Sequence, residues 1–191
     1  MSEPGLVLAS ASPRRLALLA QIGVVPGIVA PAALDEAAMR DENPRLYAQR
    51  MARSKAAMAS HPGHFVLAAD TVVAVGRRIL GKTDDVGEAR KALLLLSGRR
   101  HRVITCVVVV APDGRQAERV VESYVTLVRL EPARIEAYLN SDEWRGKAGS
   151  YAIQGFAAAF VRSIGGSYSG VVGLPLFETA QLLRGLGYRL P

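Results

Sequence analysis

Apolar residues recur along the chain in two rhythms, and the changes between them mark the elements. Leu6 to Ala9 is a short apolar run, followed by Ser10-Ala11-Ser12-Pro13 and then by Arg14 to Ile22, where Leu16, Leu18, Leu19 and Ile22 return at roughly helical spacing. This predicts strand, turn and helix. The proline suits a first helical turn, so free backbone N–H groups are expected to point outward there. Pro26 to Pro31 has the character of a loop or an edge strand. Cap signals at Asp41-Glu42-Asn43-Pro44 introduce a helix over Arg45 to Ala59, and His61-Pro62-Gly63 stops it.

Phe65 to Val75 is nearly all apolar and rich in valine, the pattern of a buried strand, yet Asp70-Thr71 interrupts it. Gly76 to Arg78 predicts a turn, Ile79 to Lys82 a short second arm, and Asp85 to Leu96 a helix closed by Ser97-Gly98. Arg102 to Ala111 and Glu118 to Arg129 predict a long hairpin across Pro112-Asp113-Gly114. A helix follows over Glu131 to Leu139. From Lys147 onward, Gly149, Gly155, Gly165, Gly166, Gly170 and Gly173 separate short apolar runs before a helix from Pro175 to about Leu186. Strands and helices are mixed in order and no repeat is visible. The expectation is a single α/β domain over residues 1–191, with a mixed central sheet and flanking helices.

Composition narrows the setting. With 191 residues, 50% hydrophobic and 21% charged, the chain can bury a sizeable core. The one cysteine, Cys106, lies in an apolar run and excludes an intrachain disulfide or a Cys-based metal site, which suits a reducing cytoplasm. Met1 to Gly5 carries no basic leader, and no apolar run reaches about 18 residues, so neither export nor a membrane span is expected. The net charge of +7 favours a polyanionic partner, either nucleic acid or a phosphorylated small molecule. Arginine supplies 20 of the 24 basic residues, spread from Arg14 to Arg189 with no run longer than two. Without a dense basic arm, nucleic acid is the poorer fit.

Three features in this frame could carry chemistry. Arg14 and Arg15, directly after Ser12-Pro13, set two fixed charges at a helix N-terminus, where they oppose the dipole and ask for an anion. Backbone N–H groups, serine hydroxyls and guanidinium forks all complement phosphate oxygens. Asp70 needs partners, because an uncompensated carboxylate in a buried run is costly; a metal ion, a lysine, a strand end opening into a cleft or a bonding turn would each serve. Lys55, Lys82 and Lys147 are three of only four lysines, and a compact ammonium suits phosphate, although Lys55 late in its helix also complements the dipole. Other motifs lead nowhere: Gly165 to Gly170 is no P-loop, and His61, His64 and His101 lack metal-ligand spacing.

Six blocks, in order and covering the whole chain, resemble the Maf family of nucleotide pyrophosphatases. They are Leu8-Ala9-Ser10-Ala11-Ser12-Pro13-Arg14-Arg15; Ala69-Asp70-Thr71-Val72-Val73; Gly81-Lys82; Ser97-Gly98 with His101 and Thr105; Lys147 to Gly155; and Gly166-Ser167-Tyr168 through Val172 to Leu176. The resemblance implies a two-lobed fold like that of the inosine triphosphatases, of the Maf/Ham1 type, with a nucleotide in the cleft. It further implies a homodimer, a divalent cation (Mg²⁺ or Mn²⁺), and hydrolysis of a nucleoside triphosphate to monophosphate and pyrophosphate. Asp70 matches the family's proton acceptor; Ser10, Arg14, Arg15, Glu36, Lys55 and Lys82 match polar positions around phosphates and metal, with Asp70 and Glu36 on the metal. Glu36 has no rationale apart from the resemblance.

Asp70-Thr71 with Ile153-Gln154-Gly155 is similar to the dTTP/UTP branch, which puts Arg14, Thr71 and Gln154 at specificity positions. A glutamine amide can both donate to and accept from a pyrimidine edge. The rivals are 7-methyl-GTP or modified pyrimidine nucleotides as substrates, a phosphatase releasing orthophosphate, and a basic nucleic-acid-binding module. One departure is Thr83, where the family usually has proline after the lysine; threonine does not fix φ and leaves that turn less constrained.

Overall fold

The architecture follows from one long strand and its unequal neighbours. The computed structural model describes residues 4–191. Its strands are β1 (Leu6–Leu8), β2 (Ile28–Val29), β3 (Phe65–Val75), β4 (Arg78–Leu80), β5 (Arg100–Val110), β6 (Gln116–Leu127) and β7 (Val161–Gly165). Its helices are α1 (Pro13–Gln21), α2 (Pro44–Met58), α3 (Val86–Leu96), α4 (Pro132–Leu139), α5 (Tyr168–Val172) and α6 (Leu176–Gly185). The sheet runs β2-β1-β3-β5-β6-β7, with β4 paired to β3 off that path. β1 is parallel to β2 and β3, and the other pairings are antiparallel, so the sheet is mixed as expected.

Alternation along β3 and β5 divides the core between the two faces of the sheet. Val66, Ala68, Val72, Ile104, Cys106 and Val108 pack on Ala48, Met51, Ala52 and Ala56 of α2. Leu67, Ala69, Val73, Val103, Val107 and Val109 belong to the larger cluster with α1, α3, α4 and α6. The helix starts expected at Asn43 and Asp85 are capped by those side chains, which accept from Arg45 N at 2.9 Å and Glu88 N at 2.8 Å.

The buried strand expected over Phe65 to Val75 is β3, which runs unbroken through Asp70 and Thr71 and pairs with β5 from Val66 to Ala74. What is interrupted is the other edge: β1 reaches only Leu67 and β4 begins only at Val73. Between them, the middle of β3 has an edge without a strand neighbour among the described residues, and a cleft opens there. One expectation needs correction: the glycine-rich stretch after Lys147 holds β7, the short helix α5 and two 3-10 turns, Ala148–Ser150 and Phe156–Phe160, none of them expected.

Candidate active site

Because side chains alternate, Asp70 and Thr71 leave the open stretch of β3 on opposite faces. Asp70 points towards α2, where Lys55 projects from the last turn. Lys55 Nζ lies 2.6 Å from Asp70 Oδ1 and 2.6 Å from Glu36 Oε1, and Lys82 Nζ lies 2.6 Å from Glu36 Oε2. The result is a chain of alternating charge, Asp70–Lys55–Glu36–Lys82. Asp70 and Lys55 are 3% and 6% exposed, so each charge persists only through its partners. Lys55, expected as a helix-dipole cation or a phosphate ligand, is therefore first of all the counter-ion of two carboxylates.

Glu36 reaches the chain from the segment between β2 and α2, where the Tyr47 hydroxyl donates to its backbone carbonyl at 2.8 Å. Burial alone would raise its pKa, but hydrogen bonds from Lys55 and Lys82 outweigh that and hold the carboxyl down at about 2. Thr83, in place of the expected proline, does not dislodge Lys82: the ion pair to Glu36 fixes the ammonium, and Thr83 O accepts from Gly146 N at 3.2 Å.

The opposite wall comes from the start of α1. No side chain caps this helix. Arg15 is buried; its Nη1 donates to Ser10 Oγ at 2.9 Å, its Nε to Gly173 O at 2.9 Å and its Nη2 to Thr71 Oγ1 at 3.4 Å. Arg15 thus ties α1, β3 and the end of α5 together, and much of its donor set is engaged within the protein. Arg14 is different: half-buried, it makes no hydrogen bond or ion pair with the described residues. Burial, and then the neighbouring Arg15 charge, lower its pKa. Lys147 also lines the cleft, donating to Arg145 O at 2.9 Å, and burial followed by the charge of Arg14 lowers its pKa too.

Gln154 is exposed at the same cleft, on a segment pinned from below. Ala152 N donates to the Tyr138 hydroxyl at 3.1 Å, and the Tyr151 hydroxyl lies 2.8 Å from His101 Nε2. His101 is held neutral near pH 7 because burial pulls its pKa down to about 4. Ser10, Arg14, Arg15, Glu36, Lys55, Thr71, Lys82 and Gln154 all line one cavity of about 480 Å³; Asp70 lines an adjoining one of about 320 Å³, which shares Glu36, Thr71 and Lys82. Every site residue expected from sequence is therefore brought to this region. Tyr47, Thr105, Tyr138 and Tyr151 were missed as supports. Only Thr105 had a local signal, a hydroxyl in the valine run that faces the one holding Thr71.

Among the described residues no cluster of three or more His, Cys, Asp or Glu forms a ready cation cage. Asp70 and Glu36 offer hard carboxylate oxygens about the same ammonium, a donor set that fits a magnesium-like ion completed by substrate phosphates.

The profile of the family described as Maf-like protein matches residues 5–186. The chain belongs to the Maf family. It is 58% identical to a dTTP/UTP pyrophosphatase of Granulibacter bethesdensis over 96% of this chain and 94% of that one. It is 61% identical to a dTTP/UTP pyrophosphatase of Rhodospirillum rubrum over 98% and 90% of the two chains. A Ham1 protein of Staphylococcus aureus, known from a solved structure, overlaps 64% of this Maf-family chain and 71% of its own, with 15% identity and a TM-score of 0.42. No helix among the described residues is long and apolar enough to cross a membrane.

Proposed function

We propose that this chain hydrolyses nucleoside triphosphates, dTTP and UTP foremost, to the monophosphate and pyrophosphate. The observation that carries the reading is the Asp70–Lys55–Glu36–Lys82 chain, facing across the cleft an α1 start where Arg14 has no hydrogen bond or ion pair among the described residues. The names of the relatives support the substrate, and the Thr71 and Gln154 positions agree with it.

Lys55 orients Asp70 through Oδ1, and the other carboxylate oxygen is the base that takes a proton from water attacking the α-phosphorus. The bond from that phosphorus to the bridging oxygen breaks, and Lys82 with Arg14 offsets the charge gathering on pyrophosphate. A Mg²⁺ or Mn²⁺ ion on Asp70 and Glu36 would polarise the phosphate oxygens. The family resemblance also supports a homodimer working in the cytoplasm.

The deciding experiment incubates the purified protein with a panel of nucleoside triphosphates and Mg²⁺ or Mn²⁺ and scores products directly. Pyrophosphate from dTTP and UTP ahead of the other bases is expected. Orthophosphate as the first product would overturn the assignment.

A further inference from the structure

Gln154 is bracketed by two side chains that do not themselves line its cavity. Two residues before it, Ala152 N donates to the Tyr138 hydroxyl at 3.1 Å; two residues after it, Phe156 N donates to Glu143 Oε2 at 2.7 Å. Gly155 N donates to Ala152 O at 3.0 Å, so Gln154 sits inside a tight turn between the two held amides. Both supports start from fixed places. Tyr138 is fully buried in α4, and Glu143 precedes Trp144, which is fully buried and donates from Nε1 to Leu139 O at 2.8 Å. The fit on the Glu143 side is close, since a Cβ added to Gly155 would collide with Glu143 Oε2. An ionised carboxylate that receives a backbone N–H makes a stronger bond than a neutral acceptor does. Glu143 lines neither of the two adjoining cavities of the cleft and makes no ion pair among the described residues, so the amide of Phe156 is what its carboxylate serves.

We propose that Glu143 is a positioning residue for base selection: by holding the Phe156 N–H it fixes the backbone of Gln154, and with it the distance at which the Gln154 amide meets the base. The inference rests on the proposed dTTP/UTP hydrolysis and adds to it what keeps the base reader in place. Held there, the amide pairs with the edge of a six-membered pyrimidine ring. A fused purine ring reaches further into the same space, so a segment free to recede loses its pairing with uracil and gains room for guanine.

The test compares kcat/KM for pyrophosphate release from UTP and GTP in the parent, Glu143→Gln and Glu143→Asp, each also in a Gln154→Ala background. Glutamine removes the charge but keeps an oxygen within reach of Phe156 N; aspartate keeps the charge but, one methylene shorter, draws its oxygens out of reach. With Gln154 in place, the UTP-to-GTP ratio is expected to fall about tenfold or more with aspartate and to stay within about threefold of the parent with glutamine. In the Gln154→Ala background, Glu143→Asp is expected to change the ratio less than about twofold, because the group it positions is gone. An unchanged ratio in a Glu143→Asp variant that melts near the parent, an equal fall with glutamine, or the same fall without Gln154 overturns the proposal. Should Glu143→Asp not fold, amide exchange in the unaltered protein decides. The Phe156 N–H is expected to exchange about tenfold or more slower than an unprotected amide, and exchange at the unprotected rate overturns the proposal. A parent that releases pyrophosphate equally from UTP and GTP sinks this inference alone, whereas one that releases none sinks the proposed reaction as well.

Discussion

Asp70 carries a charge in a nearly dry place because Lys55 is 2.6 Å away, and Lys55 in turn is shared with Glu36. Asparagine at position 70 would keep the shape, and Lys55 would keep Glu36 as its counter-ion. Asp70→Asn is therefore expected to fold and to bind nucleotide, with kcat lowered about a hundredfold or more. Turnover within threefold of the parent would remove Asp70 from proton transfer. Glu36 makes a second prediction through pH. Its folded pKa, about 2, lies below its ordinary value of 4.5, so its pairing stabilises the protein fully above pH 4.5 and is lost as pH falls towards 2. The stability gap between parent and Glu36→Gln should be constant above pH 5 and close progressively below about pH 4.5. Urea melts of both proteins at pH 6, 4 and 3 measure it, and a gap that widens on acidification contradicts the pairing.

Among the elements, the turn Ala148–Ser150 brings Ala148 to the cleft wall and packs against β3. Gly149 has φ 66°, and a Cβ added there would come within 2.8 Å of Val73 Cγ1 on β3. Gly149→Ala meets both a left-handed backbone and a side chain fixed by its strand, and is expected to cost about 2–4 kcal/mol. A urea midpoint within error of the parent would show that the turn yields freely. The elements were legible in uneven measure. The long hairpin and the capped helices α2 and α3 have strong periodicity and unmistakable Asn43 and Asp85 caps. β7 and α5 have five residues each, too short for a period to show, and their pairing partners lie far away: Val125 opposes Ile164, and Arg15 reaches Gly173. The block matches had marked Lys147 to Gly155 as important without revealing that Tyr138 and His101 hold it from beneath.

At the scale of the whole molecule, the charge of +7 acts most where it is least neutralised. On one side of the cleft Asp70, Glu36, Lys55 and Lys82 balance one another; on the other Arg14, Arg15 and Lys147 have no carboxylate in an ion pair with them among the described residues. KM for a triphosphate should therefore rise several-fold between about 0.05 and 0.5 M salt, with kcat changing less. Steady-state kinetics in sodium chloride check this, and a flat KM would mean that the cleft field contributes nothing to capture. The chain by itself determined the class of fold, the core-forming strands, the helix starts and which residue types could meet a phosphate, because periodicity, capping and block order are local properties. It could not show that the strand carrying Asp70 and Thr71 lacks a neighbour along one edge among the described residues, since that gap is made by β1 ending at Leu67 and β4 beginning at Val73. Nor could it place Glu36 between two lysines or Thr105 behind Thr71. Those relations join residues far apart along the chain, and only the packing of α2, β3 and β5 brings their charges and protons within 3 Å of one another.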